Sequence, residues 1–295
     1  MSLTRSSSMH PALNLGDSLP QLDQATSGSH LFVSLSEMIL EHVFYHPDHA
    51  AILLSLEESE VASINAILGE QTLESHFVST LTEQILTAVK PQHQSVRIDL
   101  GGADSYSFRT LLGGQLEPSE VNPALGLRGV SRFAHEKFVQ LFTLECQVIK
   151  ALQQQGCDVD IVVPFVRGLS DAAKVIDLLA EQGLPRGLNG LKVLYTVDVP
   201  SGALLSERLL HYFDGLVINV ENLTQFTLGV DRLSEELEYL FDPESEAVMM
   251  LIEQAVDAAT NSNKPIVLVS NGLAQYARLQ EYIVEHPQIE TVVTL

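Results

Sequence analysis

One pattern comes round three times between residues 160 and 220: Asp-Ile-Val-Val-Pro-Phe at 160–165, Lys-Val-Leu-Tyr-Thr-Val-Asp-Val at 192–199, and Gly-Leu-Val-Ile-Asn-Val at 215–220. Each run is short, apolar and rich in β-branched residues, as a strand buried on both faces should be. Between them, residues 170–182 and 201–212 carry apolar side chains at three- and four-residue steps, the period of an amphipathic helix. Gly183 and Gly187 flank Pro185 just past the first of these helices and act as its stop signal. Working outward, further strand-like runs lie at 31–33, 95–100, 125–128, 265–270 and 289–295, and further helical stretches at 72–89, 133–154, 245–261 and 274–286. Eight strands alternating with helices predict an α/β fold, a (β/α)₈ TIM barrel with every strand parallel. The eighth strand has no helix after it. The N-terminal segment, the helix at 72–89 or a partner subunit is expected to cover its outer face.

Composition fits one large domain. The chain has 295 residues, 45% of them hydrophobic, enough for a barrel core. Residues 1–30 are rich in Ser with scattered Pro and Gly and show no sustained period, so a flexible tail is expected there, with the barrel over 31–295. The 38 acidic residues against 16 basic give a formal net charge of -22, which argues against nucleic acid and anionic membrane surfaces as partners. There are two cysteines, Cys146 and Cys157, without metal-ligand spacing, and no run long enough for a signal or membrane segment, so a cytoplasmic protein is expected. Cys146 falls in an apolar helical stretch and reads as a small buried hydrophobe.

Two further runs carry more specific information. Residues 122–132 read Asn-Pro-Ala-Leu-Gly-Leu-Arg-Gly-Val-Ser-Arg, and residues 223–232 read Leu-Thr-Gln-Phe-Thr-Leu-Gly-Val-Asp-Arg. Their order and spacing resemble N-P-x-L-G-x-R-G and L-T-Q-x-T-L-G-x-D-R of the phosphoenolpyruvate synthase and pyruvate phosphate dikinase family, in its C-terminal phosphoenolpyruvate/pyruvate-binding barrel. Pro164 to Arg167 and Arg186 to Val193 are similar to the synthase branch as well, and the resemblance runs from about Glu37 to the C-terminus. It implies a ligand site at the carboxyl ends of the strands, with phosphoenolpyruvate, pyruvate or a similar small anion as partner. By the same resemblance Arg97, in Val-Arg-Ile-Asp, and Arg128 are the two phosphate-binding arginines. Two guanidiniums suit such a ligand because each presents paired donors to two oxygens.

The resemblance also implies Mg²⁺, but its ligand positions differ. Asp198 stands where the family has the glutamate of E-I-P-S, and Val220, Glu221 and Asn222 stand where it has Ser-Asn-Asp. Asp198 and Asn222 are thus the expected metal positions, with Glu221 as a substitute carboxylate; Glu221 and Asn222 are also expected at the substrate. Mg²⁺ demands tight octahedral geometry and negative ligands, so it is expected to bind weakly here or not at all. No intact catalytic residue is expected. Val269 occupies the place of the family's cysteine, which exchanges a proton at the methylene carbon of enolpyruvate, and Ser270 is adjacent. Loss of that acid removes roughly 10²- to 10⁴-fold of rate. The family's ATP-grasp and phosphohistidine domains have no counterpart in this sequence, so a complete ATP-driven synthase is not expected.

The leading expectation is therefore a stand-alone barrel that binds a small phosphorylated or carboxylate anion, has lost phosphotransfer, and acts as a binding or regulatory protein. Whether it is an enzyme stays open: the alternatives are a Mg²⁺-dependent enzyme on phosphoenolpyruvate or 2-oxo acids, of phosphotransferase or carbon–carbon lyase type, and one subunit of a split synthase. A homo-oligomer is among the expected assemblies. His42, His46 and His49 have near-helical spacing, but His46-Pro47 reads as a structural turn. The Asp231-Arg232 pair reads as structural, and the acidic run from Glu235 to Glu246 as a solvated face.

Overall fold

The computed structural model describes residues 8–21, 28–48 and 56–294. In chain order the elements are β1 (Leu15–Leu19), β2 (Leu31–Ser34), α1 (Leu35–Met38), α2 (Glu58–Leu68), α3 (Leu73–Ala88), β3 (Val96–Asp99), α4 (Ser105–Phe108), α5 (Val130–Phe133), α6 (Val139–Gln154) and β4 (Val159–Val163). There follow α7 (Leu169–Glu181), β5 (Val193–Val197), α8 (Pro200–Leu204), α9 (Ser206–Leu209), β6 (Gly215–Asn219), α10 (Val220–Leu228), α11 (Glu246–Asn261), β7 (Ile266–Ser270), α12 (Ala277–Glu285) and β8 (Ile289–Val293). The eight strands form a closed parallel barrel in sequence order, sealed where Leu15 and Gly16 of β1 register with Thr291 and Val292 of β8. The TIM-barrel architecture is as the sequence predicts.

Two expectations about the strands are corrected. The stretch at 125–128 is not a strand: Pro123–Leu125 is a single 3₁₀ turn, because a proline that cannot donate and the glycines at 126 and 129 favour a loop. The eighth strand is instead β1, from within the stretch expected to be a tail. Its five residues, Leu-Gly-Asp-Ser-Leu, are too short and too polar to show a period, and it exists because β2 and β8 each offer it an unpaired edge. Of the remaining tail, residues 1–7 and 22–27 lie outside the described residues, as does His49.

The N-terminal segment covers the outer face of β8, one of the expected arrangements. Ile289 and Thr291, on the outer face of β8, are buried. Thr291 donates its N–H to the Asn14 carbonyl, His10 donates its N–H to Gln280 of α12, and Met9 and Leu13 pack on the core.

Alternate residues on each strand point inward. Phe32, Val162, Leu194, Val217, Val267, Val269 and Val292 pack together inside the barrel, separate from the larger cluster between sheet and helices. The amino-terminal layer is polar. Arg97, Asp160 and Glu290 are each the second residue of their strand, and the Arg97 guanidinium is bidentate with Glu290, Nη2 to Oε1 being 3.0 Å. Burial raises the pKa of Asp160, and Arg97 is the charge that most opposes this.

Outside the strands, α3 packs on α6, and α11 packs on α8 and α9. From α6, the fully buried Glu145 accepts the Gly101 N–H with both carboxylate oxygens at 3.1 Å, fixing the loop after β3 that leads to the barrel rim. Burial pushes Glu145 up to about 7, with the Gly101 N–H and Arg132 pulling the other way.

Two outcomes test this architecture. Deleting residues 1–20 removes β1 and leaves β2 and β8 as open edges; cooperative thermal unfolding should be lost, and a truncated chain melting like the full one would disprove the role of β1. Glu145 binds its proton more tightly in the folded chain than in the unfolded one, so its contribution to stability is complete below its ordinary pKa of 4.5 and drains as pH rises through about 7. Glu145→Gln keeps an acceptor for Gly101 and should flatten that limb in denaturant titrations at about pH 5 and about pH 8; an unchanged slope would assign the titration elsewhere.

Candidate functional site

A cavity of about 380 Å³ opens at the carboxyl ends of the strands. Its floor is made by inward-facing strand residues, among them Phe32, Asp99, Thr196, Val217 and Val269. The wall carries six carboxylates, Glu37, Asp99, Asp104, Asp198, Glu221 and Asp231, against two guanidiniums, Arg128 and Arg232. This is the face where barrel architecture places ligand sites.

The two arginines expected to converge do not. Arg128 lines the cavity; Arg97 does not, being committed to Glu290 in the amino-terminal layer. The cause is strand position, since Arg97 sits two residues before the rim residue Asp99 and its side chain has a carboxylate partner at its own level. The second guanidinium at the mouth is Arg232, from the segment after α10 that reads as structural in sequence. It forms no ion pair within 4 Å among the described residues.

Arg128 is held from behind. Nε and Nη2 donate to the Gly102 carbonyl at 3.0 and 2.9 Å, Nη1 to that of Ala124 at 3.2 Å, and the guanidinium stacks on the Phe165 ring 4.4 Å away. Burial lowers its pKa, the carboxylates of Asp198 and Asp104 oppose that, and Arg232 adds to it. Two backbone positions make this packing feasible. Gly129 has φ of 53°, and a Cβ there would lie 2.4 Å from the Pro164 carbonyl oxygen. Phe165 also adopts a positive φ, 58°, an uncommon and strained conformation for a bulky residue. It places the ring between Arg128 and Arg167 and aims the Phe165 N–H at Asp198 Oδ2, 2.8 Å away.

Asp198 and Asn222, the expected metal positions, are bonded to each other: Asn222 Nδ2 donates to Asp198 Oδ1 at 2.6 Å. Asn222 is set by the start of α10, where the Asn219 side chain caps the helix by accepting the Asn222 N–H at 3.0 Å. Each Asp198 oxygen therefore already accepts one hydrogen bond, and the amide turns a donor where a second carboxylate would face the metal. Burial raises the pKa of Asp198 despite those bonds.

Glu221 leaves the same turn in another direction. Its Oε1 accepts from Ser270 Oγ at 2.8 Å, from the Asn271 N–H at 3.0 Å and from the Gly272 N–H at 3.4 Å, tying α10 to the loop after β7. Among the described residues no group of three or more His, Cys, Asp or Glu could hold a metal ion together. The Asp198–Asn222 hydrogen bond takes up one lone pair at the position where the resemblance implies Mg²⁺.

Val269 lies in the cavity floor, 8% exposed. Ser270 is fully buried and bonded to Glu221, outside the cavity lining, so it is not the acid that Val269 displaces. Cys146 is buried in α6 and Cys157 lies before β4; neither lines the cavity.

His46, read from sequence as part of a structural turn, is fully buried and within hydrogen-bond distance of Glu117 at 2.7 Å, and Glu117 also holds Arg132. The Glu235–Leu240 turn is largely exposed, as the sequence predicts.

Two floor residues carry no expectation from sequence. Thr196 is 4% exposed and its Oγ1 has no hydrogen-bond partner; Asp99 Oδ1 is closed to solvent and likewise unpartnered. An unsatisfied buried group forgoes about 1–3 kcal/mol. Burial raises the Asp99 pKa well above the usual carboxylate value, and Asp198, Glu145 and Glu37 push it further. Both were findable by period-two alternation, since Asp99 follows Arg97 by two residues and Thr196 precedes Asp198 by two.

Residues 50–277 match the family described as PEP-utilising enzyme, PEP-binding domain. The chain is 40% identical over 213 residues to phosphoenolpyruvate synthase of Pseudomonas aeruginosa, covering 71% of this chain and 27% of that protein. It is 36% identical over 247 residues to phosphoenolpyruvate synthase of Escherichia coli K12, covering 80% of this chain and 31% of that one. The Neisseria meningitidis phosphoenolpyruvate synthase is 33% identical over 235 residues, covering 78% and 29% respectively. The chain thus spans about three-tenths of the length of these relatives. Among the described residues no helix is long and apolar enough to cross a membrane. The chain belongs to the PEP-utilising enzyme family, and what it represents of that family is the PEP-binding barrel.

Proposed function

We propose that this barrel binds a small carboxylate-bearing ligand in the rim cavity and has lost phosphotransfer, serving as a binding or regulatory member of the family. The observation that carries the reading is Val269 in the cavity floor, where the resemblance calls for a proton-exchanging cysteine. An aliphatic side chain transfers no proton, and both thiols of the chain lie away from the cavity. The Asp198–Asn222 hydrogen bond adds support, because it occupies the two positions where the family's Mg²⁺ would be held. With Arg97 bound to Glu290, a phosphoryl dianion would meet Arg128 and Arg232 alone among six carboxylates, which favours a carboxylate over a phosphate as the anionic group.

A second reading, a different enzymatic reaction on a 2-oxo acid, is favoured by Asp99: a carboxyl in the cavity floor whose pKa is raised by desolvation and neighbouring carboxylates has the character of a general acid. Proton NMR of pyruvate in deuterated buffer separates the two. No methyl exchange above the buffer rate is expected. Exchange that disappears in Asp99→Asn would overturn the non-catalytic reading. Calorimetry should show binding of small carboxylates, weakened in Arg232→Gln; a cavity that takes no such ligand at millimolar concentration would overturn the binding reading.

A further inference from the structure

The unpaired groups of the rim cavity are distributed unevenly. At the floor, Thr196 is buried with an unpartnered hydroxyl, and Asp99 next to the cavity has an unpartnered oxygen. Asp198 lines the same floor region from just past the end of β5, the strand that carries Thr196. At the mouth, Arg232 is exposed and without an ion pair among the described residues. At the floor the carboxylates outnumber the guanidinium of Arg128, whose charge acts on Asp99 and Asp198, and the Thr196 hydroxyl keeps free lone pairs, while the mouth lacks an anion. A ligand that is anionic throughout satisfies only the mouth, and it places further acceptors against Asp99, Asp198 and Glu37.

What the floor lacks is a compact cation with several N–H donors. An ammonium group offers three, and three acceptors await it: Asp99, Thr196 Oγ1 and the free lone pairs of Asp198. A metal ion is the less fitting cation, since no group of three or more His, Cys, Asp or Glu among the described residues could share one, and Asn222 presents its amide N–H to Asp198. We propose that the rim cavity takes a small α-amino acid as its zwitterion, with the ammonium group received by Asp99, Thr196 and Asp198 and the carboxylate by Arg232. The proposal rests on the reading of the rim cavity as the ligand site and names the class of ligand. Burial and the neighbouring carboxylates of Asp198, Glu145 and Glu37 raise the Asp99 pKa, and a cation bound beside it shifts that pKa back down.

Matched pairs that differ only in the nitrogen-bearing group test this: L-alanine against pyruvate, L-serine against hydroxypyruvate, and L-aspartate against oxaloacetate, titrated calorimetrically into the full chain. At least one amino acid should bind about tenfold or more tighter than its oxo counterpart. Thr196→Val, nearly isosteric, and Asp99→Asn should each weaken the amino acid about tenfold while leaving the oxo acid unchanged, and Arg232→Gln should weaken both. Titration in buffers of different ionisation enthalpy should show proton release that vanishes in Asp99→Asn. Oxo acids that bind as tightly as the amino acids, with floor variants that leave all affinities unchanged, would overturn the zwitterion while sparing the rim cavity as a carboxylate site. Binding of neither series would overturn both. A melting curve for each variant shows that it is folded, and Thr196→Val alone suffices if Asp99→Asn is not.

Discussion

In a closed parallel barrel each strand presents alternate side chains to the interior, and the depth of a residue along its strand decides whether it meets the ligand cavity or the packed layers beneath. Everything about this site follows from that constraint. Asp99, Thr196 and Val269 are inward and near the carboxyl end, so they form the cavity floor. Arg97 is inward on the same strand as Asp99 but two residues deeper, and there it meets Glu290 rather than a ligand. The apolar layer of Phe32, Val162, Leu194, Val217 and Val267 belongs to the same interior and gives the cavity a rigid base.

The second determinant is how the cavity's charges are already spent. Asp198 binds Asn222 and the Phe165 amide, Glu221 binds Ser270 and two backbone amides, and Arg128 binds the carbonyls of Gly102 and Ala124. These contacts hold the loops after β3, β4, β6 and β7 in one arrangement. A strained Phe165 and an obligatory Gly129 are retained within it, as expected where a site rather than the core sets the backbone. Asp99, Thr196 and Arg232 are among the described lining residues that stay uncommitted.

The positions that the resemblance marks as departing from the family pattern are also coupled to one another. Replacing a carboxylate by Asn222 removes repulsion toward Asp198 and supplies a donor, so the pair closes on itself. Glu221, one residue earlier on the same helical turn, points elsewhere because neighbours on a helix do not share a face, and it anchors the loop that follows Val269. Asp198, Glu221, Asn222 and Val269 thus form one connected region around α10 and β7.

The sequence alone determined the barrel class, seven of its eight strands and the family, because strands buried on both faces leave unbroken apolar runs and because the 122–132 and 223–232 motifs are long and ordered. Through the family resemblance it also directed attention to Asp198, Asn222 and Val269, all three of which line the rim cavity. It did not reveal β1, whose five mixed residues become a strand only when β2 and β8 supply hydrogen-bonding edges on either side. Nor could it say that Arg97 answers to Glu290, 193 residues away, or that Arg232 stands at the cavity mouth. Such pairings depend on depth along the strands and on closure of the ring, and these are properties of the assembled barrel rather than of any segment of the chain.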